Sequence, residues 1–144
     1  MSDFYQTGVV ATLHRLVEDG HERLERELTG FADQRPIALV LPALYSEFEA
    51  PALPMILEQL RHVPYLRQIV FTLAGADEAQ YRKARQMARI LPQEVTFVWN
   101  SGPRIQALYH ELQDHKLPVG GDAKGRSCWM AYGYVLASQQ SDVI

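Results

Sequence analysis

Three short runs dominated by apolar residues, at 37–41, 68–73 and 95–99, are each followed by a stretch of helical length, and this alternation constrains the fold more than any other feature. The first run, Ile37-Ala38-Leu39-Val40-Leu41, has no polar position at all. A strand with one wet face alternates apolar and polar residues, whereas a continuous apolar strand must be covered on both faces. Such strands, alternating with helices, build parallel sheets joined by right-handed crossovers. The expected class is therefore α/β.

The intervening helices are expected at 50–62, with Leu53, Ile56, Leu57 and Leu60 on one side, at 77–91, with Asp77 as its cap, and at 103–115. Pro42 is expected to end the first strand. Residues 117–125 hold a proline and three glycines and read as a loop before a last helix at 127–138. The closing Ser141-Asp142-Val143-Ile144 has the character of a fourth buried strand just beginning, so a truncated sheet is expected. Ahead of the first strand, Leu13, Leu16, Leu24, Leu28 and Phe31 recur at helical spacing, with a break or kink at Asp19-Gly20. The division that follows is a helical extension over 1–35 and an α/β domain over 36–144.

Bulk properties narrow the function classes. The 144 residues are 47% hydrophobic and 22% charged, ordinary for a globular protein. A net charge of -3 argues against a surface built for nucleic acid. The single Cys128 allows neither an internal disulfide nor a cysteine-based zinc site. No stretch approaches the roughly 18–20 apolar residues of a membrane span, and the apolar run from Val9 is interrupted by His14 and Arg15. A cytoplasmic location with no membrane partner is expected. His14, His21, His62, His110 and His115 fall on expected helices without ligand spacing and read as surface residues. Trp99 and Trp129 read as core or pocket-wall aromatics, and Cys128 as a small buried residue.

Three places lie just after an expected strand, where open parallel sheets bind ligands. The first is Leu41-Pro42-Ala43-Leu44-Tyr45-Ser46-Glu47. A strand ending in Pro-Ala-Leu leaves backbone amides and carbonyls free of the ladder to meet the edge of a planar base, and Glu47 can accept hydrogen bonds from a ribose or an imino group. An ordinary strand-to-helix turn accounts for the same residues. The second is Gly121-Asp122-Ala123-Lys124-Gly125-Arg126-Ser127, which leads into the last helix. Glycine, a helix N-terminus and two cationic side chains suit a diphosphate, and a solvated basic loop is the alternative. Gly120-x-x-x-x-Gly125-Arg126-Ser127 approaches a P-loop, but Arg126 replaces the lysine and no strand precedes it. The third is Leu73-Ala74-Gly75-Ala76-Asp77-Glu78, where Gly75 permits a tight turn and helix capping explains Asp77.

Together these residues resemble the N-terminal part of family-2-type glycosyltransferases of the GT-A fold, in particular the bacterial glucosyl-3-phosphoglycerate synthase group. Pro42, Ala43, Leu44 and Glu47 match that group's Pro-Ala-Leu-x-x-Glu stretch, and Lys124 and Gly125 match its Gly-Lys-Gly-type loop. Two departures stand out. Leu73-Ala74-Gly75-Ala76 lacks the acid and hydroxyl of an Asp-x-Gly-Ser turn, and Ala123 replaces the glycine before the lysine.

The resemblance implies a Rossmann-like parallel sheet, truncated, with a nucleotide-sugar site formed by Pro42, Ala43, Leu44, Glu47, Gly75, Lys124, Gly125 and Arg126. It further implies UDP-glucose as donor, a small acceptor such as 3-phosphoglycerate, and Mg²⁺ or Mn²⁺ in a longer parent, held by an Asp-x-Asp motif. Residues 1–144 contain no such motif after the expected strands, so no cofactor and no catalytic residue is assigned to them, and the fragment is expected to be inactive. An unpaired sheet edge makes a homo-oligomer possible. The rival reading is a small non-enzymatic α/β module that binds a nucleotide or a partner.

Overall fold

A computed structural model describes residues 20–121 and 123–144, so the expected helical residues before Gly20 lie outside it. The elements run α1 (Gly20–Gln34), β1 (Ile37–Leu44), α2 (Tyr45–Glu49), α3 (Ala52–Leu60), β2 (Leu66–Ala74), α4 (Glu78–Met87) with a 3-10 turn at Ala88–Ile90, β3 (Glu94–Trp99), α5 (Pro103–Asp114) and α6 (Lys124–Ser138). Along α1 the apolar stripe Leu24, Leu28 and Phe31 is exposed.

The three strands form one all-parallel sheet in the order β1-β2-β3. Residues alternate across a strand, so β2 in the middle serves both faces. Ile69, Phe71 and Leu73 pack with Tyr45 and Phe48 of α2, Leu53 and Leu57 of α3 and Ala84 of α4. Val70 faces the other way, with Ala38 and Val98, onto Tyr109 of α5 and Met130, Ala131 and Val135 of α6. The result is a helix–sheet–helix sandwich, a Rossmann-like α/β arrangement preceded by a helix. On the first face Phe71 stacks on Phe97 with ring centroids 4.8 Å apart, and Tyr81 stacks on Trp99 at 4.6 Å.

Four local expectations need correcting. Pro42 does not end β1: Pro42, Ala43 and Leu44 continue in register with Thr72, Leu73 and Ala74. The Ala38 amide donates to the Val143 carbonyl at 2.7 Å, away from β2, and backbone groups alternate along a strand. The missing donor at Pro42 therefore falls on the outer edge of β1, where it breaks no bond to β2. The helix expected at 50–62 spans only Ala52–Leu60, and an unexpected one-turn helix, α2, precedes it; Pro51 separates the two by holding Ala50 out of the helical region at φ −84°, ψ 153°. The last helix begins at Lys124, with Ala123 extended as its cap, instead of at 127. Cys128 is only partly buried, since it sits one helical step round from the inward-facing Ser127.

After α6, Gln139 adopts a left-handed conformation at φ 53° and turns the chain back toward the sheet. Val143 then pairs with Ile37 in parallel, and the Asp142 amide donates to the Pro36 carbonyl at 2.8 Å. Gln68 Nε2 anchors this return through Ser141 Oγ at 2.9 Å. The tail thus lies beside β1, on the side away from β2, in the position of a fourth parallel strand.

Two glycines give this packing a sharp test. A Cβ on Gly102 would lie 2.6 Å from a Trp99 ring carbon, whereas one on Gly133, inside α6, would meet nothing within 4 Å. Gly102→Ala is expected to destabilise the chain by about 1–3 kcal/mol through overpacking. Gly133→Ala is expected to stabilise it by about 0.5–1 kcal/mol through helix propensity. Urea unfolding of the two variants measures both signs.

Candidate functional site

The carboxyl ends of β1 and β2 and the amino end of α6 enclose a cleft of ≈ 390 Å³. It is lined by Pro42, Ala43, Leu44 and Glu47 from one side and by Ala123, Lys124 and Ser127 from the other, with Thr72, Ala74 and Gly75 between them. Its volume lies toward the small end of the roughly 300–1,000 Å³ usual for small-molecule sites. In an open parallel sheet this is the crevice beside the strand where the order reverses: β1 has β2 on one side and the Val143 tail on the other.

Each wall has a local cause. Glu47 reaches back to the start of its own one-turn helix, where a carboxylate oxygen accepts the Leu44 amide at 3.0 Å. The carboxylate keeps acceptor capacity beyond that single bond and remains exposed at the cleft. The expectation of free backbone amides at the end of β1 is corrected here. By alternation the Ala43 groups point to β2, Pro42 has no amide, and the Leu44 amide is taken by Glu47. The outer rim of β1 therefore offers carbonyl oxygens, which suits a ligand edge that donates.

Across the cleft, Lys124 is the first residue of α6, and its side chain is exposed. The opening amides of a helix lack internal partners and carry partial positive charge, so this wall favours an anion. Gly75 turns the chain after β2 at φ 63°, a conformation open to glycine. The next residue is held by Trp99, whose Nε1 donates to the Ala76 carbonyl at 2.9 Å. Asp77 is a helix cap: it accepts the Gln80 amide at 2.8 Å, while Gln80 Oε1 accepts the Asp77 amide at 2.8 Å.

Of the residues singled out in the sequence, Pro42, Ala43, Leu44, Glu47, Gly75 and Lys124 line this one cleft. Gly125 and Arg126 do not; they face an adjoining shallow groove with Pro118, Gly121 and Trp129. The Arg126 guanidinium lies over the Tyr109 ring, 4.5 Å from its centroid, which turns it away from the cleft. Trp129 is exposed on that groove and Trp99 packs against the core. His21, His62, His110 and His115 are all exposed. Sequence reasoning missed Thr72, buried at the cleft floor, and Asn100 behind it, and gave Ser127, buried there too, no role of its own within the 121–127 stretch. Thr72 interrupts the apolar run from Ile69 to Leu73, and that lone hydroxyl was the available signal.

The described residues do not provide for a divalent cation. Among the described residues Glu47 is the one carboxylate lining the cleft, and no group of three His, Cys, Asp or Glu residues converges. A larger groove of ≈ 590 Å³ lies at the opposite ends of the strands, among Thr29, Pro36, Arg61, Tyr65 and Gln93, away from these residues. No helix among the described residues is long and apolar enough to cross a membrane.

Comparison with known proteins gives the cleft a context. The chain is 42% identical over 144 residues to a glucosyl-3-phosphoglycerate synthase of Persephonella marina, covering 100% of this chain and 36% of that protein. It is 30% identical over 149 residues to a glucosyl-3-phosphoglycerate synthase of Methanococcoides burtonii, covering 99% of this chain and 36% of that protein. The chain is homologous to an N-terminal region of these synthases, which are GT-A, family-2 glycosyltransferases. It spans about a third of the length of the synthases it matches, 36% in each case. No family model and no solved structure matches it significantly. Likeness to the synthases extends through α1 as well as the sheet, since it covers essentially the whole chain.

The reach-back of Glu47 is directly testable. Glu47→Ala is expected to lower stability by about 0.5–1 kcal/mol by releasing the Leu44 amide. Glu47→Gln, which keeps an oxygen acceptor, is expected to retain most of it. Thermal unfolding of both variants separates the hydrogen bond from the charge.

Proposed function

We propose that this chain is the donor-nucleotide half of a glycosyltransferase. The parent enzyme moves a hexose, glucose in the first instance, from a nucleotide-sugar donor to a small acceptor of the 3-phosphoglycerate kind. The observation that carries this reading is the single cleft shared by the Pro42–Glu47 turn and the Lys124 end of α6, in a chain homologous to the synthases. The nucleoside lies against the acceptor rim of β1, with uridine the base favoured because its imino group donates. The diphosphate lies toward Lys124 and the first amides of α6, where anions are stabilised most. Gly75 gives the second turn room, and Gly125 and Arg126 act from the neighbouring groove, Arg126 by holding the 118–121 loop through the Gly120 carbonyl.

The role of this half is binding and orientation, and catalytic groups belong to other parts of the parent enzyme. The divalent cation implied for that parent, Mg²⁺ or Mn²⁺, finds no ligand set among the described residues. The unpaired rim of β1 and the exposed Trp129, Tyr132 and Leu136 on one side of α6 support self-association of the chain when it stands alone.

Calorimetric titration tests the reading. The wild-type chain is expected to bind UDP more tightly than uridine. Lys124→Ala is expected to weaken UDP roughly tenfold and leave uridine unchanged, as for the loss of one charge-assisted contact. Equal affinity for UDP and uridine, or no effect of the lysine, would remove the diphosphate from the α6 terminus. Glucose transfer to 3-phosphoglycerate by the chain alone would contradict its assignment as a binding half.

A further inference from the structure

Between the end of the sheet and the first turn of α6 lie three buried polar side chains: Thr72 at 1% exposure, Asn100 at 3% and Ser127 at 5%. Thr72 and Ser127 line the cleft. Asn100 is held in place, because Gln106 Nε2 donates to its main-chain carbonyl at 2.7 Å while its side-chain Nδ2 donates to Ser127 Oγ at 2.6 Å. The Ser127 hydroxyl in turn lies 3.4 Å from the Ala123 carbonyl. Two atoms of the cluster have no hydrogen-bond partner, Thr72 Oγ1 and Asn100 Oδ1.

A half-satisfied buried polar cluster works against folding, because its unpaired atoms have lost water and gained nothing. Valine would occupy the Thr72 position with nearly the same shape and a high strand propensity. A hydroxyl stands where the fold alone favours a methyl. The cleft is also graded: Lys124 and Glu47 are exposed at its rim, while Thr72 is fully buried at its floor. Charged ligand groups stay at the wet rim, so what reaches the floor is the uncharged part of the ligand.

Resting on the donor-nucleotide reading, the geometry points to Thr72 as a specificity-determining residue, whose hydroxyl hydrogen-bonds the heterocycle of the bound nucleoside. Thr72 pairs in register with Pro42, so the base enters between that strand end and α6. A change of χ1 rotamer turns the hydroxyl toward the cleft without moving the backbone. Asn100 is a positioning residue, which through Ser127 fixes the first turn of α6 against the same floor.

The test is Thr72→Val in the 144-residue chain, read by thermal unfolding without ligand and by calorimetry with UDP and with uridine. The expected result pairs opposite signs: an unchanged or raised unfolding midpoint, and a roughly three- to tenfold loss of affinity for both ligands. Thr72→Ser, which restores the hydroxyl, is expected to recover the affinity. A lowered midpoint with unchanged affinity would place the hydroxyl's partner within the fold and overturn the assignment. Loss confined to UDP would move the contact from base to phosphate and overturn it equally. A wild-type chain that binds neither ligand would overturn the donor reading and Thr72 with it, whereas a wild type that binds both as well as its valine variant does would overturn Thr72 alone.

Discussion

The parallel ladder between β1 and β2 decides where everything else can go. Its register carries Pro42, Ala43 and Leu44 to the end of the sheet beside Thr72, Leu73 and Ala74, and leaves the other side of β1 open to the Val143 tail. Pro42 is compatible with this only because its missing amide lies on the open side. A slip of β1 by one residue would turn that gap toward β2 and exchange the faces of Leu39 and Leu41 with those of Ala38 and Val40. Two separate apolar cores, one on each face, oppose such a slip.

From that ladder the cleft follows. With α2, α3 and α4 on one face and α5 and α6 on the other, the helices cover both faces of the sheet and leave its ends open. The amino end of α6 comes down beside the end of β1. A helix terminus that favours anions therefore stands opposite a strand rim that offers carbonyl oxygens. This juxtaposition comes from topology, and side chains add selectivity to it: Glu47 and Lys124 at the rim, Thr72 and Ser127 below.

The fold was legible in the sequence because its signals are periodic. Unbroken apolar runs specified strands covered on both faces, and Asp77 marked the start of α4 as a cap should. What escaped depended on single local conflicts. Pro42 reads as a strand terminator unless the side on which its nitrogen lies is known, and that side is a property of the assembled sheet. Pro51 separates α2 from α3 through the backbone of Ala50, a steric effect that apolar periodicity does not record. For the site, the six residues that line the cleft stood in strand-end motifs, whereas Arg126 was drawn aside by the Tyr109 ring. Thr72 and Asn100 matter through burial without partners, a quantity that exists only in three dimensions.

Hydrogen–deuterium exchange with and without UDP tests the central claim, that one nucleotide is shared by the end of β1 and the start of α6. The account predicts slower exchange at residues 42–47 and 123–127 together, with the rest of the chain unaltered. Protection centred instead on the groove at the opposite ends of the strands, around Arg61, Tyr65 and Gln93, would contradict it.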